Sequence, residues 1–170
     1  MGRISRQAMF MQMARAASMR STCSRLNVGA IVTLANSPIS VGWNGAEAGA
    51  PHCAGNDCPG MVPGNCPSIH AESNALRKAD ELLTNSPPVD LYVTHSPCVN
   101  CCMLIRNSDV PVGRIFFEIP YRSTQHLNQM FYNQYRDETF PEHQRGTRVY
   151  EVTPAGYIVE YFSRKVVELP

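Results

Sequence analysis

Four residues in two short runs carry most of the chemistry this chain offers. They are His70 and Glu72, in His70-Ala71-Glu72, and Cys98 and Cys101, in Pro97-Cys98-Val99-Asn100-Cys101. Cysteines three apart share one side of a helical turn. A helix N-terminus stabilises thiolates, and a bound metal deprotonates them outright. His70 lies 28 residues before Cys98. One histidine and two cysteines make three protein ligands and leave the fourth tetrahedral position of a zinc ion for water, whereas four protein ligands close a site. Glu72 then stands beside the metal without binding it, where a carboxylate can take a proton from water and pass it on. Each half alone is weak. A C-x-x-C pair also serves structural zinc or redox chemistry, and a lone His-Ala-Glu means nothing. Together, in this order and with a strand between the two helices, they predict a catalytic zinc site.

The elements that position these residues follow from periodicity. Residues 5–20 carry Ala8, Met9, Met13, Ala16 and Ala17 at near-helical spacing, which predicts a helix packed on the core through that stripe. Residues 28–34 and 39–43 read as strands about an Asn36-Ser37-Pro38 turn, a hairpin. Residues 69–83 predict a helix and 91–94 a strand. Ser96-Pro97 supplies an N-cap and a first-turn proline for a helix over 98–107. A strand over 114–119, a helix over 125–135 and strands over 149–152 and 157–162, flanking Thr153-Pro154-Ala155-Gly156, complete the reading. Helix, two strands, then alternating helix and strand predict a single α/β layered domain over residues 1–170 with a mixed sheet. Residues 44–67 break the pattern, with five glycines, four prolines, three cysteines and no periodicity. So long a loop is functional or stapled, and Cys53, Cys58 and Cys66 are the candidate staples.

Composition narrows the class. Hydrophobic residues make up 44% of 170, enough for a proper core. The net charge of +1 argues against a nucleic acid polymer as partner, since such binders show a strongly basic face. No run approaches the roughly 18 apolar residues of a membrane span. Gln12, Arg15 and Ser18 interrupt the only signal-like segment, so the expected location is cytoplasmic. Seven cysteines, an odd number, do not suit a closed disulfide framework and favour thiols or metal ligands. Of fifteen basic residues only Lys78 and Lys165 are lysine. The arginine excess reflects either compositional bias or planar recognition of phosphate.

Five stretches bring a known family into view. They are Arg20-Ser21-Thr22-Cys23-Ser24-Arg25, Val28-Gly29-Ala30, Gly42-Trp43-Asn44-Gly45, His70-Ala71-Glu72-Ser73-Asn74-Ala75 and Thr94-His95-Ser96-Pro97-Cys98-Val99-Asn100-Cys101. With them the chain resembles deoxycytidylate (dCMP) deaminases of the zinc-dependent cytidine deaminase superfamily, from about residue 6 to about Tyr121. It departs from the family at Trp43, where tyrosine is usual, at Glu47, where proline is common, and at Ser73 and Cys102. Glu47 falls in a loop linked to nucleotide regulation. The resemblance implies a three-layer α/β/α fold about a mixed five-stranded sheet. It also implies hydrolysis of dCMP to dUMP and ammonia, supplying dUMP for dTMP synthesis. Under it, Glu72 moves protons beside a zinc held by His70, Cys98 and Cys101. Asn44 bonds the sugar hydroxyl, Arg25 and Tyr121 hold the phosphate, and backbone near Ala71 and Cys98 orients the ring. The blander readings are a turn residue for Asn44, a solvated arginine for Arg25 and ordinary packing for Tyr121.

Family members often carry a second, structural zinc, with ligands at the positions matching Cys23 and Cys53. That implies a closed site of Cys23, Cys53, Cys58 and Cys66, with His52 as the competing fourth ligand and metal-free loop thiols as the alternative. Cys102 is expected to be a small core residue. His95, His126 and His143 lack motif support and are expected on the surface or in the core. Many members are homohexamers activated by dCTP with magnesium and inhibited by dTTP, and residues 42–49 resemble the regulatory loop. Arg3, Arg6, Arg15 and Arg20 either serve a triphosphate or form the outer face of the first helix. Two alternatives compete. One is a related zinc deaminase acting on a free nucleoside, a riboflavin intermediate or a base in RNA, the last disfavoured by charge. The other is a non-catalytic zinc-stapled module, which would not need Glu72.

Overall fold

Side chains alternate along the central strands so that both faces of the sheet are apolar. In β1 (Gly29–Leu34) Ala30 and Val32 face one core and Ile31 the other. In β3 (Val89–His95) Leu91 and Val93 oppose Tyr92, and in β4 (Val112–Ile119) Ile115 and Phe117 oppose Phe116. A sheet apolar on both faces needs a helix layer on each. Helix α1 (Arg6–Ser18) covers the Ile31, Tyr92 and Phe116 face, while α2 (Ala71–Leu82) and α3 (Val99–Arg106) cover the other. The result is the three-layer α/β/α arrangement. The computed structural model describes residues 3–53, 58, 62, 66–121, 123–132 and 146–169.

The sheet has seven strands, two more than expected, in the order β2-β1-β3-β4-β5-β6-β7. β2 is Ser37–Trp43, β5 Arg148–Val152, β6 Ile158–Glu160 and β7 Val166–Val167. β3 pairs with β4 and β4 with β5 in parallel, and the other neighbours are antiparallel. The extra width comes from the short terminal strands β6 and β7. The strand expected over 157–162 stops at Glu160 because the chain turns back there. The Arg164 N–H donates to the Glu160 carbonyl at 2.9 Å, with Arg164 at a left-handed φ of 57°.

Three local expectations shift. The β1–β2 turn falls on Ala35 and Asn36, at φ 48° and 64°, the pair of left-handed residues a tight hairpin requires. Pro38 therefore lies inside β2, which tolerates it as an edge strand. The buried stripe of α1 is Gln7, Phe10, Met11, Ala14 and Ala17, so only Ala17 of the expected set is buried. Phe10 sets that rotation by packing on Tyr92, ring centroids 5.1 Å apart. Within the expected helix over 125–135 stand a single α-turn, α4 (Gln125–Leu127), and a π-helical turn (Asn128–Tyr132), and 133–135 lie outside the described residues. Among the described residues no helix is long and apolar enough to cross a membrane.

Helix α2 is fixed to β2 by a set of close contacts. A methyl group on Gly42 would collide with the Ala71 carbonyl and the Ala75 amide, so only glycine lets the helix lie this near the strand. Ser40 Oγ donates to the Ala75 carbonyl (2.7 Å), Asn74 Nδ2 to the Trp43 carbonyl (2.9 Å) and Lys78 Nζ to the Val41 carbonyl (2.8 Å). Just before α2, Gly45 and Ile69 pair through N–H···O contacts of 3.1 and 2.8 Å. These contacts determine where the residue after Ile69, His70, stands.

Candidate active site

His70 is the N-cap of α2 and Cys98 the N-cap of α3, so two helix N-termini meet at one point. Their partial positive charge favours anionic sulfur there. Both lie at the edge where the parallel strands β3 and β4 end, the usual place for a site in such a sheet. His70 Nδ1 is 3.2 Å from Cys101 Sγ and 3.5 Å from Cys98 Sγ, so Nδ1 is the ring nitrogen facing both sulfurs. The three ligand atoms lie within 4.8 Å of one another, the one such group of metal-ligating side chains among the described residues. One imidazole and two thiols at this separation suit zinc, with a coordination position left over.

Electrostatics at the group follow from these contacts. The Cys101 thiol hydrogen-bonds Cys98 sulfur, and with His70 holds Cys98 as a thiolate, its pKa down to about 3. The same bond, with burial, pushes the Cys101 thiol up. The Cys98 thiolate in turn raises the His70 pKa. Glu72, only 4% exposed, is one residue into α2 from Ala71, and burial raises its carboxyl pKa against the opposing pull of backbone hydrogen bonding and His70. A buried carboxyl that holds a proton more readily than usual is what proton transfer near neutral pH needs.

The cleft over this group is walled by Arg25, Asn44, Ala71, Glu72 and Tyr121, together with Cys23, Cys66, Ser68, His95 and Ser96. All of the residues expected at a substrate site thus share one cavity. Asn44 is buried and tightly held. Its Oδ1 accepts from Ser21 Oγ (2.7 Å) and the Val28 N–H (2.8 Å), and its Nδ2 donates to the Leu26 carbonyl (2.7 Å). Its carbonyl is saturated, and one amide hydrogen is left to donate. Ser21 was legible only as part of the Arg20 to Arg25 stretch, with no sign of this role. His95, expected to be bland, lines the cleft, its Nδ1 3.1 Å from Thr94 Oγ1 and its pKa lowered by burial. His126 contacts the turn before Cys98, and His143 lies outside the described residues. Cys102 is fully buried in the core.

The remaining cysteines gather in part. None of the seven forms a disulfide. The Cys53 thiol hydrogen-bonds Cys58, which raises its pKa, with Cys23 near enough to add to the effect. Cys66 shares the cleft wall with Cys23, and His52 is exposed. Of the four arginines near the first helix, Arg15 is forked onto Glu118, Nε donating at 2.8 Å, and Arg20 lies 5.9 Å above the Trp43 ring. Arg3 and Arg6 are exposed.

A mixed sheet between helix layers, with His-x-Glu and Pro-Cys-x-x-Cys meeting at two helix N-termini, defines a zinc deaminase scaffold. Residues 4–118 match the family model of the cytidine and deoxycytidylate deaminase zinc-binding region. The chain belongs to that family. It is 33% identical over 132 residues to ComE operon protein 2 of Bacillus subtilis, covering 77% of this chain and 68% of that protein. It is 39% identical over 114 residues to a deoxycytidylate deaminase of Mycobacterium phage D29, covering 59% of this chain and 86% of the phage protein. A crystal structure of dCMP deaminase from the cyanophage S-TIM5, in complex with dCMP and dUMP, superposes with a TM-score of 0.62 at 28% identity. It covers 85% of this chain and 95% of the phage chain.

Proposed function

We propose that this protein hydrolyses dCMP to dUMP and ammonia. The observation that carries the reading is a buried carboxyl, Glu72, beside a His70, Cys98 and Cys101 group, in one cleft with Asn44, Arg25 and Tyr121. The relatives named deoxycytidylate deaminase support the same substrate. His70, Cys98 and Cys101 would hold the zinc, which supplies a Lewis acid that lowers the pKa of water toward neutrality. Glu72 takes a proton from the attacking water and delivers it to N3 of cytosine as the C4–O bond forms. It then takes the remaining proton from the new C4 hydroxyl and passes it to the amine, so that C4=O forms as the C4–N bond breaks and ammonia leaves. Asn44 donates its remaining amide hydrogen to a sugar oxygen, and Arg25 and Tyr121 meet the phosphate.

Ammonia release on dCMP, deoxycytidine and CMP tests the substrate. Turnover preferring dCMP is expected, and equal turnover of deoxycytidine would remove the phosphate contacts from the reading. Ser21→Ala frees one side of the Asn44 carbonyl and lets the amide turn. The loss of about 1 kcal/mol for such a bond raises KM for dCMP about fivefold with kcat little changed. A KM equal to that of the unaltered protein would show that Ser21 does not orient the amide.

Further parts of the reading concern the second metal and control. Cys23, Cys53 and Cys58, with Cys66 or His52, would hold a structural zinc that ties the long loop to the end of α1. Thiol donors suit a closed zinc site. Cys53→Ser is expected to lower zinc content and Tm while the active-site zinc stays. Unchanged metal content, measured by atomic absorption, would leave these as plain thiols. Activation by dCTP with magnesium, inhibition by dTTP and a homohexameric assembly are the proposed regulation. The loop over 42–49 touches α2 at Gly42 and pairs at Gly45 with Ile69, the residue before His70, which gives an effector there mechanical access to His70.

A further inference from the structure

The chain beyond β4 lies outside the matched family region, which ends at residue 118, yet it reaches back to the metal-binding turn. His126, in α4, places Nε2 2.6 Å from the carbonyl oxygen of Pro97. That oxygen can only accept, so Nε2 carries the hydrogen. Pro97 is buried and is followed at once by Cys98, one of the three convergent ligands. The peptide unit joining them is planar and rigid. Holding its carbonyl oxygen therefore fixes the plane from which the Cys98 side chain departs.

The same turn is held one residue earlier. The Ser96 N–H donates to the Ile119 carbonyl at 2.8 Å, and Ser96 Oγ accepts from the Tyr121 N–H at 2.8 Å. Those bonds fix the strand end; the carbonyl adjoining the ligand takes the short contact from His126 and a longer, weaker one from the buried Cys102 thiol at 3.8 Å. The helix bearing His126 is itself anchored. Leu127 and Phe131 are fully buried. Thr124 accepts a hydrogen bond from the Tyr161 hydroxyl, and Tyr161 packs edge-on against Phe117 with centroids 5.6 Å apart. A chain of contacts thus runs from the turn after β6, through α4, to the residue before Cys98.

We infer that His126 is a positioning residue of the metal site, its Nε2–H holding the Pro97 carbonyl so that the Cys98 sulfur faces the metal held with His70 and Cys101. This rests on the reading of those three side chains as the zinc ligands. Groups that orient a ligand from outside the coordination sphere are worth about 10- to 100-fold in metal affinity.

Zinc release to a chromogenic chelator, measured on the purified zinc-loaded protein, provides the test. His126→Phe keeps an aromatic ring and removes the donor, while His126→Gln keeps an N–H at a similar reach. The phenylalanine variant should lose the active-site zinc about 10- to 100-fold more readily, and the glutamine variant should behave like the unaltered protein. With cobalt in place of zinc, the thiolate-to-metal charge-transfer band should shift in the first variant and return in the second. His126→Ala serves the same comparison if the phenylalanine variant does not fold. A folded variant lacking the donor that holds this metal as firmly as the unaltered protein overturns the inference. So does a glutamine variant as leaky as phenylalanine, which would point to ring packing. Cys98→Ser run alongside reports on the ligand assignment itself: full zinc content there sinks that reading, whatever His126 does.

Discussion

Glu72→Gln yields a folded protein that retains its zinc and deaminates dCMP about 10²- to 10⁴-fold more slowly than the unaltered chain, the range expected for losing one proton-transfer group. Glutamine matches glutamate in shape, so the buried position in the first turn of α2 stays filled. What disappears is the ability to accept a proton and return it, which the reaction needs on both the water and the departing amine. The loss should fall on kcat, with KM for dCMP little changed, because the cleft residues proposed to meet the sugar and phosphate, Asn44, Arg25 and Tyr121, are left in place. Ammonia release under saturating dCMP, with zinc content measured on the same sample, checks it. Wild-type turnover in a zinc-replete variant would falsify the role given to Glu72.

Cys101→Ser is expected to lose metal and activity together. Cys101 is 3% exposed, and its sulfur contacts both His70 Nδ1 and the Cys98 sulfur. Serine is a poor zinc ligand in a site built for thiolate. Zinc affinity should fall by more than the roughly 10²-fold that the loss of a mere supporting contact costs, leaving turnover at background. Chelation of the unaltered protein should give the same phenotype, and added zinc should restore the chelated protein but not the variant. The contrast with Glu72→Gln matters, because one substitution removes chemistry with the metal in place and the other removes the metal. A Cys101→Ser protein that keeps both zinc and turnover would exclude this sulfur as a ligand.

The convergence of His70, Cys98 and Cys101 was legible because much of its geometry is local. Three-residue spacing puts Cys98 and Cys101 on one helical turn whatever the rest of the fold does, and Ser96-Pro97 marks where that helix begins. A layered α/β domain with a mixed sheet could be read from strands and helices in alternation, and the third layer came with the family resemblance. Contacts between segments far apart in sequence could not. Ser21 meets Asn44 across 23 positions and His126 meets Pro97 across 29. Neither pair leaves a periodic or compositional trace, since either partner alone is an ordinary polar residue. The buried stripe of α1 was misplaced for a related reason. The alanines and methionines are weak markers of a face, and the helix is oriented by Phe10 on Tyr92, a contact visible only when the helix lies on the sheet. The two-residue β7 escaped because so short a strand is defined by its pairing partner, while β6 was legible in its sequence but drawn two residues too long at its end.

The bare backbone contact at Gly42 separates two kinds of tolerance in this molecule. The His70 and Glu72 end of α2 is set from behind, by a strand and a helix in direct touch, with no side chain on Gly42 between them to be lengthened or shortened. Arg25 and Tyr121, proposed to meet the phosphate, stand on segments outside that joint, whereas Asn44 follows β2 directly and belongs to it. Under that proposal the phosphate contacts can drift, residue by residue, while Asn44 and the His70 end of α2 keep their spacing.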